Sequence, residues 1–360
     1  MKDKELSIII PVYNGQDYIV RCVDSIMRQQ GADQYEIIIV DDGSNDDTPK
    51  ILDAVANVYK NIRVIHQKNG GVSVARNNGI VASHGKYITF VDADDMVGLR
   101  VSAFNKYFKN AEQLLNKNFL EQACSVPNNL KSIICTNEYF TDTYFINMLH
   151  AITNTNADIV FGGNITINDC NNRATRQVYE TDAIYNQSVD DKNTILIHAS
   201  ARESANFALY SRKFLDNNNL RFLANMKLNE DILFCLLSVL YANKVATVKD
   251  VTYFYNRHEN TLSNITGIDE WRYQYSVANI QLYSVFLNEL ANYPDYAPIF
   301  KIYMAQFSKA GQRHKHNLEN FPSQWCAFNC NKNNCTGCFI ADAMREQFKT
   351  NIEKYLGVTR

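Results

Sequence analysis

A chain of 360 residues with 46% hydrophobic and 21% charged side chains has the composition of a globular protein able to bury a full core. Its formal net charge of −2 gives no basis for nucleic acid as the main partner. No stretch approaches the roughly 20 apolar residues of a membrane span, and the most apolar one, ILFCLLSVLYA at 232–242, reads as a core helix.

In chain order, Leu6–Val12 reads as a strand and Asp17–Gln30 as an amphipathic helix with Ile19, Val20, Val23, Ile26 and Met27 facing inward. Tyr35–Val40 is a second strand. Thr48 as N-cap, followed by Pro49, starts a helix that runs to about Tyr59. Ile62–His66, Val72–Ala82 and Tyr87–Val91 continue the alternation as strand, helix and strand. Such a series predicts a parallel sheet with right-handed crossovers. Over 97–141 the alternation breaks: residues 103–123 have a helical period and Pro127 marks a turn, so a helical insertion lying over the site is expected. Regular pattern resumes with a helix from 142 to about Thr153, a strand at 157–167, a further strand near Gln177–Tyr179, a helix at Glu230–Ala242 and a strand at Lys244–Tyr255. Beyond about Asp269 the period is helical. The expected organisation is one α/β domain over 1–268, interrupted at 97–141, and a helical extension over 269–360.

Two acidic clusters stand where hydrophobic strands run out. EIIIV is followed by Asp41 and Asp42, and YITFV by Asp92, Asp94 and Asp95. Ligands of open α/β sheets sit beyond the carboxyl ends of the strands. Carboxylates converging there repel one another unless a cation or the polar groups of a ligand compensate them. The pattern points to a metal and a phosphorylated ligand.

Four ordered strings, SIIIPVYNGQDYIVRCVDSIMRQ, EIIIVDDGSNDDT, NGGVSVARNNGI and GKYITFVDADD, resemble the family-2 glycosyltransferases of GT-A fold. The likeness is close over residues 5–96 and looser over 142–260. It implies a Rossmann-like, mixed and mainly parallel sheet flanked by helices. It also implies inverting, metal-assisted transfer of a hexose-type sugar from a nucleoside diphosphate, UDP above all, to a hydroxyl of a saccharide or lipid-linked saccharide, in surface polysaccharide or glycoconjugate synthesis.

Residue by residue, the resemblance makes Asp92 and Asp94, with Ala93 between them, the DXD motif. The first carboxylate is expected to face ribose and sugar, and the second Mn²⁺ or Mg²⁺, whose natural ligands are hard oxygens. Asp42 is expected to accept the imide N–H of uracil, with Pro11 and Tyr13 bordering the base; plain turn chemistry in DDGS is the alternative. Arg76 is expected at the pocket rim near the diphosphate, or in a helix-surface ion pair. In NEDILF, Asp231 beside Glu230 is the expected catalytic base. The competing view has both acids satisfying a helix start, which would depress the pKa of Asp231. His258 matches a position where many GT-A enzymes bring a histidine to the metal or diphosphate; a surface histidine is the other reading. SANFALYSRKFL lacks the asparagine-lysine pair that relatives often carry, and sugar and acceptor are not legible because loops and the divergent 97–141 and 270–360 segments set them.

Cys326, Cys330, Cys335 and Cys338 are spaced C-x₃-C-x₄-C-x₂-C. Four thiolates can close a structural zinc site, while free thiols and two disulfides are the other options, the latter disfavoured in a reducing compartment. Two rival functions fit the fold. A non-catalytic sugar-nucleotide binder would keep Asp42 but could lose the DXD or the base, and a sugar-nucleotide nucleotidyltransferase would open with a glycine-rich basic loop in place of PVYNGQDY. The first apolar run leads directly into a strand and has no signal-peptide pattern. A cytoplasmic protein is therefore expected, with peripheral association at the inner membrane face left open.

Overall fold

The computed structural model describes residues 4–98, 122–125, 141–168, 173–177, 179, 181–197, 204–224, 226–257, 275, 278, 279, 281, 282 and 285–296. The first half alternates β1 (Leu6–Val12), α1 (Ile19–Met27), β2 (Glu36–Asp41), α2 (Thr48–Val58), β3 (Ile62–His66), α3 (Val72–Ala82) and β4 (Tyr87–Phe90). After it come β5 (Met96–Val97), β6 (Gln122–Ser125), α4 (Tyr144–Thr155), β7 (Ile159–Asn168), β8 (Arg173–Gln177), β9 (Ala183–Tyr185) and α5 (Val189–Ile197). β10 (Ala208–Ser211), α6 (Arg212–Asn217), α7 (Glu230–Tyr241) and β11 (Val245–Arg257) complete the sheet and its cover.

The sheet runs β3-β2-β1-β4-β10-β7-β11-β5. β1 to β4 are mutually parallel, with Ile8 beside Ile37 and Thr89. β10 is antiparallel to both β4 and β7, which returns β7 and β11 to the direction of β4. Every residue of β1 is buried, which explains its apolar run from Ile8 to Val12. Its side chains divide by parity: Ile9 joins Phe90, Tyr210 and Phe234 on one face, and Ile8 and Ile10 join Ile19, Val23 and Phe145 on the other. α3 lies close on β1, since a Cβ at Gly79 would stand 2.3 Å from the Ile9 Cγ2 atom. That approach sets α3 against the strands whose carboxyl ends carry the acidic clusters.

Several expectations need correction. α1 begins at Ile19, and Val20 is exposed while Cys22 takes the inward place. Thr48 is no cap: its hydroxyl accepts the Gly15 N–H at 2.8 Å, and Asp46 accepts the Thr48 N–H at 3.0 Å. Gln122 and Ala123, read as helical, lie in β6, which pairs antiparallel with β8; cross-strand pairing here overrides local period. The strand placed near Gln177–Tyr179 instead spans Arg173–Gln177. The 97–141 segment departs and returns at one point, where the Thr141 N–H donates to the Gly98 carbonyl at 2.6 Å. Gln29 fixes that return, donating to the Thr141 carbonyl and accepting the Tyr144 N–H at 2.9 Å each.

Past 269, residues 275, 278, 279, 281, 282 and 285–290 are helical. Ala278, Leu282, Phe286, Leu287 and Leu290 pack into the same cluster as α7, and the Tyr241 hydroxyl donates to Glu289 at 2.8 Å. Among the described residues, no helix is long and apolar enough to cross a membrane.

Candidate active site

At the end of β2, Asp41 and Asp42 do different work. Asp41 accepts the Ser44 N–H at 3.0 Å and meets His66 Nδ1 at 2.7 Å. Burial alone would raise its pKa, but the bonds from Ser44 and His66 bring it below the usual carboxylate value, and the same contact raises that of His66. Asp42 is buried and binds the loop before α3: Oδ1 accepts from Gln67 Nε2 and the Gly70 N–H, and Oδ2 from the Gly71 N–H, all at 2.8 Å. Gly43 makes this approach possible. It has a φ of 75°, and a Cβ there would meet the Asn69 nitrogen at 2.9 Å. Pro11 is buried in β1 beside Val40, while the ring of Tyr13 is half-exposed at the same edge, its hydroxyl accepting from Asn45 at 3.3 Å.

At the end of β4 the chain turns tightly, the Asp95 N–H donating to the Asp92 carbonyl at 3.0 Å. Asp95 is fully buried and holds the turn on β11: it accepts the Tyr253 hydroxyl at 2.7 Å and the Asn256 N–H at 2.8 Å. Burial first, then the charges of Asp94 and Asp92, push its pKa well above the ordinary value. Tyr253 in turn accepts the Asp92 N–H at 3.0 Å. The Asp92 carboxylate is held on both oxygens, by Arg76 Nη2 at 2.8 Å on Oδ1 and by Asn206 Nδ2 at 2.7 Å on Oδ2. Ala93 is buried and Asp94 is partly exposed. The Asp94 carbonyl accepts from Arg21 at 3.3 Å.

Arg76 links this turn to the start of α7. Its Nη1 donates to Glu230 Oε1 at 2.7 Å, next to Asp231. Arg76 is 2% exposed, so its ion pairs are buried and are not those of a helix surface. Asp231 tests the helix-start view. Its Oδ1 does accept the Ile232 N–H at 2.8 Å, yet burial and the neighbouring Glu230 outweigh that bond and the Arg76 charge, raising its pKa to about 7. A carboxylate poised there can take a proton near neutrality.

His258 and the four cysteines at 326, 330, 335 and 338 lie outside the described residues. Among the described residues, no three His, Cys, Asp or Glu side chains converge as a ready-made metal cage.

Residues 7–98 match the model of glycosyl transferase family 2. The chain is 47% identical over 108 residues to the uncharacterized glycosyltransferase EpsJ of Bacillus subtilis, a span of 30% of each chain. It is 43% identical over 97 residues to the poly(ribitol-phosphate) beta-glucosyltransferase of Bacillus spizizenii, 26% of this chain and 15% of that one. The matched span is thus a third or less of these relatives' length. The fold is similar over nearly the whole chain to S. aureus TarS 1–349 solved with UDP-GlcNAc, at 18% identity and a TM-score of 0.51, covering 99% of this chain and 92% of that one. The architecture is GT-A.

Three residues that hold the acidic turn in place escaped the sequence reading: Asn206, Tyr253 and Asn256. Each stands far along the chain from the acids it serves. A polar residue within the apolar run ANFALY was the one available signal for Asn206, because buried polar groups need partners.

Proposed function

We propose that this chain is an inverting glycosyltransferase that moves a sugar, of hexose type, from a nucleoside diphosphate, UDP foremost, to a hydroxyl of a saccharide or lipid-linked saccharide. The observation that carries this reading is the Arg76 bridge, which sets the Glu230–Asp231 pair against the DXD turn. Asp42, with Pro11 and Tyr13, is the base pocket; Asp92 and Ala93 border ribose and sugar. Asp231 takes the acceptor hydroxyl proton. The oxygen then attacks the anomeric carbon from the face opposite the diphosphate, whose C–O bond breaks with the electron pair leaving on the diphosphate.

The donor set fits a divalent cation. Asp94 is a hard oxygen ligand, partly exposed on the donor side, and Mg²⁺ or Mn²⁺ is commonly held by one or two carboxylates together with substrate phosphates, without an all-protein cage. Asp94, with Asp92, would hold it, His258 remaining a further possible ligand. When bound, the cation stabilises the charge that builds on the leaving diphosphate. Zinc at the four cysteines stays a separate proposal, structural if correct. The glucosyl transfer named for the B. spizizenii relative accords with a hexose donor.

A panel of nucleotide sugars incubated with the protein and Mn²⁺, read for release of nucleoside diphosphate, tests this function. Release from at least one UDP-sugar is expected. Binding without release would support the non-catalytic rival, and pyrophosphate release from a nucleoside triphosphate with a sugar phosphate would support the nucleotidyltransferase.

A further inference from the structure

We infer that Arg76 is a positioning residue that couples the donor-side carboxylate Asp92 to the base-side pair Glu230 and Asp231, and is no ligand of the diphosphate. The inference rests on the sugar-transfer reading and deepens it.

Two of the five guanidinium N–H groups hold the carboxylates, one on Nη2 to Asp92 at 2.8 Å and one on Nη1 to Glu230 at 2.7 Å, and the buried Nε faces no acceptor among the described residues. Such charge-assisted bonds in a buried setting are strong, and breaking one to reach a phosphate would strand a carboxylate. The group is also packed against an aromatic ring. Its Cζ lies 5.1 Å from the centre of the Phe222 ring. Phe222 stacks flat on Phe234 of α7 at 4.1 Å and 4°, and Phe90 of β4 meets Phe222 edge-on at 5.1 Å. The next residue on α3, Asn77, clamps the Phe222 backbone in both directions, donating to its carbonyl at 2.8 Å and accepting its N–H at 2.9 Å. One aromatic stack therefore supports the guanidinium, the β4 end and the α7 start together.

Asp92 is the counterpart. Arg76 and Asn206 grip its two oxygens, so its orientation is tied through one cation to Glu230. Without that cation Asp92, Glu230 and Asp231 repel one another, and the start of α7 gains freedom to move away. A displacement of about 1 Å in a catalytic group costs on the order of 100-fold in rate. The loss should fall on turnover and spare nucleotide affinity.

The test compares R76Q, R76K, E230Q and the R76Q/E230Q double variant in the full chain. Calorimetry in EDTA, which removes any cation that Asp92 would help to hold, gives UDP and uridine affinities, and donor turnover with Mn²⁺ gives kcat. R76Q should lower kcat by about 100-fold while UDP affinity stays within roughly twofold, a difference well under 1.4 kcal/mol. R76K should restore part of the rate, and the double variant should lose much less than the product of the single losses, because the two residues act through one bond. A fall in UDP affinity with uridine unchanged would make Arg76 a phosphate ligand and overturn the proposal, as would losses that multiply. Should R76Q fail to fold, E230Q reads the same bond from its other end: reduced kcat at unchanged UDP affinity supports the coupling, and unchanged kcat overturns it. A wild type that turns over no sugar nucleotide removes the reaction and the proposal together. An active wild type with a contrary pattern removes the proposal alone.

Discussion

Asp42 is engaged on both oxygens before any ligand arrives, and this sharpens what it can recognise. Gln67 Nε2 and the Gly70 N–H reach Oδ1, and the Gly71 N–H reaches Oδ2, each at 2.8 Å. An ionised carboxylate has about four acceptor positions, so one remains, on Oδ2. The imide N–H of uracil can fill it, whereas cytosine presents a ring nitrogen with its own lone pair. Leaving a buried acceptor unpaired costs about 1–3 kcal/mol, so UDP should bind about tenfold or more tightly than CDP. Calorimetric titration of both nucleotides at one salt and metal concentration measures the ratio. Equal affinities would refute the assignment. Asp42→Asn gives a second readout. It keeps an acceptor for Gln67 and Gly70 but sets an NH₂ group against the Gly71 N–H, so it should erase the UDP preference and lower stability by about 1–3 kcal/mol.

Asp94→Asn should abolish turnover, as should EDTA on the wild type, while the fold survives because one carboxylate fewer relieves repulsion at a crowded turn; full activity in EDTA would exclude the metal role. Asp231 works as a base only when ionised, and its pKa is raised to about 7. The rate should therefore fall as pH drops below about 7, well above the ordinary carboxylate range near 4, and a kcat profile flat down to pH 5 would contradict this. Asp95→Ala should strip acceptors from the buried Tyr253 hydroxyl and Asn256 N–H, lowering thermal stability by about 1–3 kcal/mol for each; Asp95→Asn should be milder, and equal melting temperatures for Ala and wild type would refute the clamp.

The first four strands and three helices were legible because β1, β2 and β4 are buried on both faces and stand out as apolar runs. The acidic clusters were legible for a topological reason: parallel strands bring their carboxyl ends to one edge whatever the loops do. β5, two residues long, has too little length to show a period. β6 declares itself only through pairing with β8, a contact that no local window contains. The burial of Arg76 was not legible, because a helical arginine is usually solvated and the carboxylates and aromatic stack that pay for its burial come from other segments. Val20 was misassigned for a simpler reason: the buried face of α1 runs through Ile19, Cys22, Val23 and Ile26, and residue 20 falls off that stripe.

Sugar transfer by Asp231 is tested most directly by Asp231→Asn, comparing donor turnover with UDP-sugar affinity on the same preparation. Turnover should fall by roughly 10²–10⁴ while affinity is nearly unchanged, the scale of losing a general base. Turnover at the wild-type rate, or affinity collapsing together with turnover, would contradict the assignment and leave Asp231 a structural residue at the start of α7.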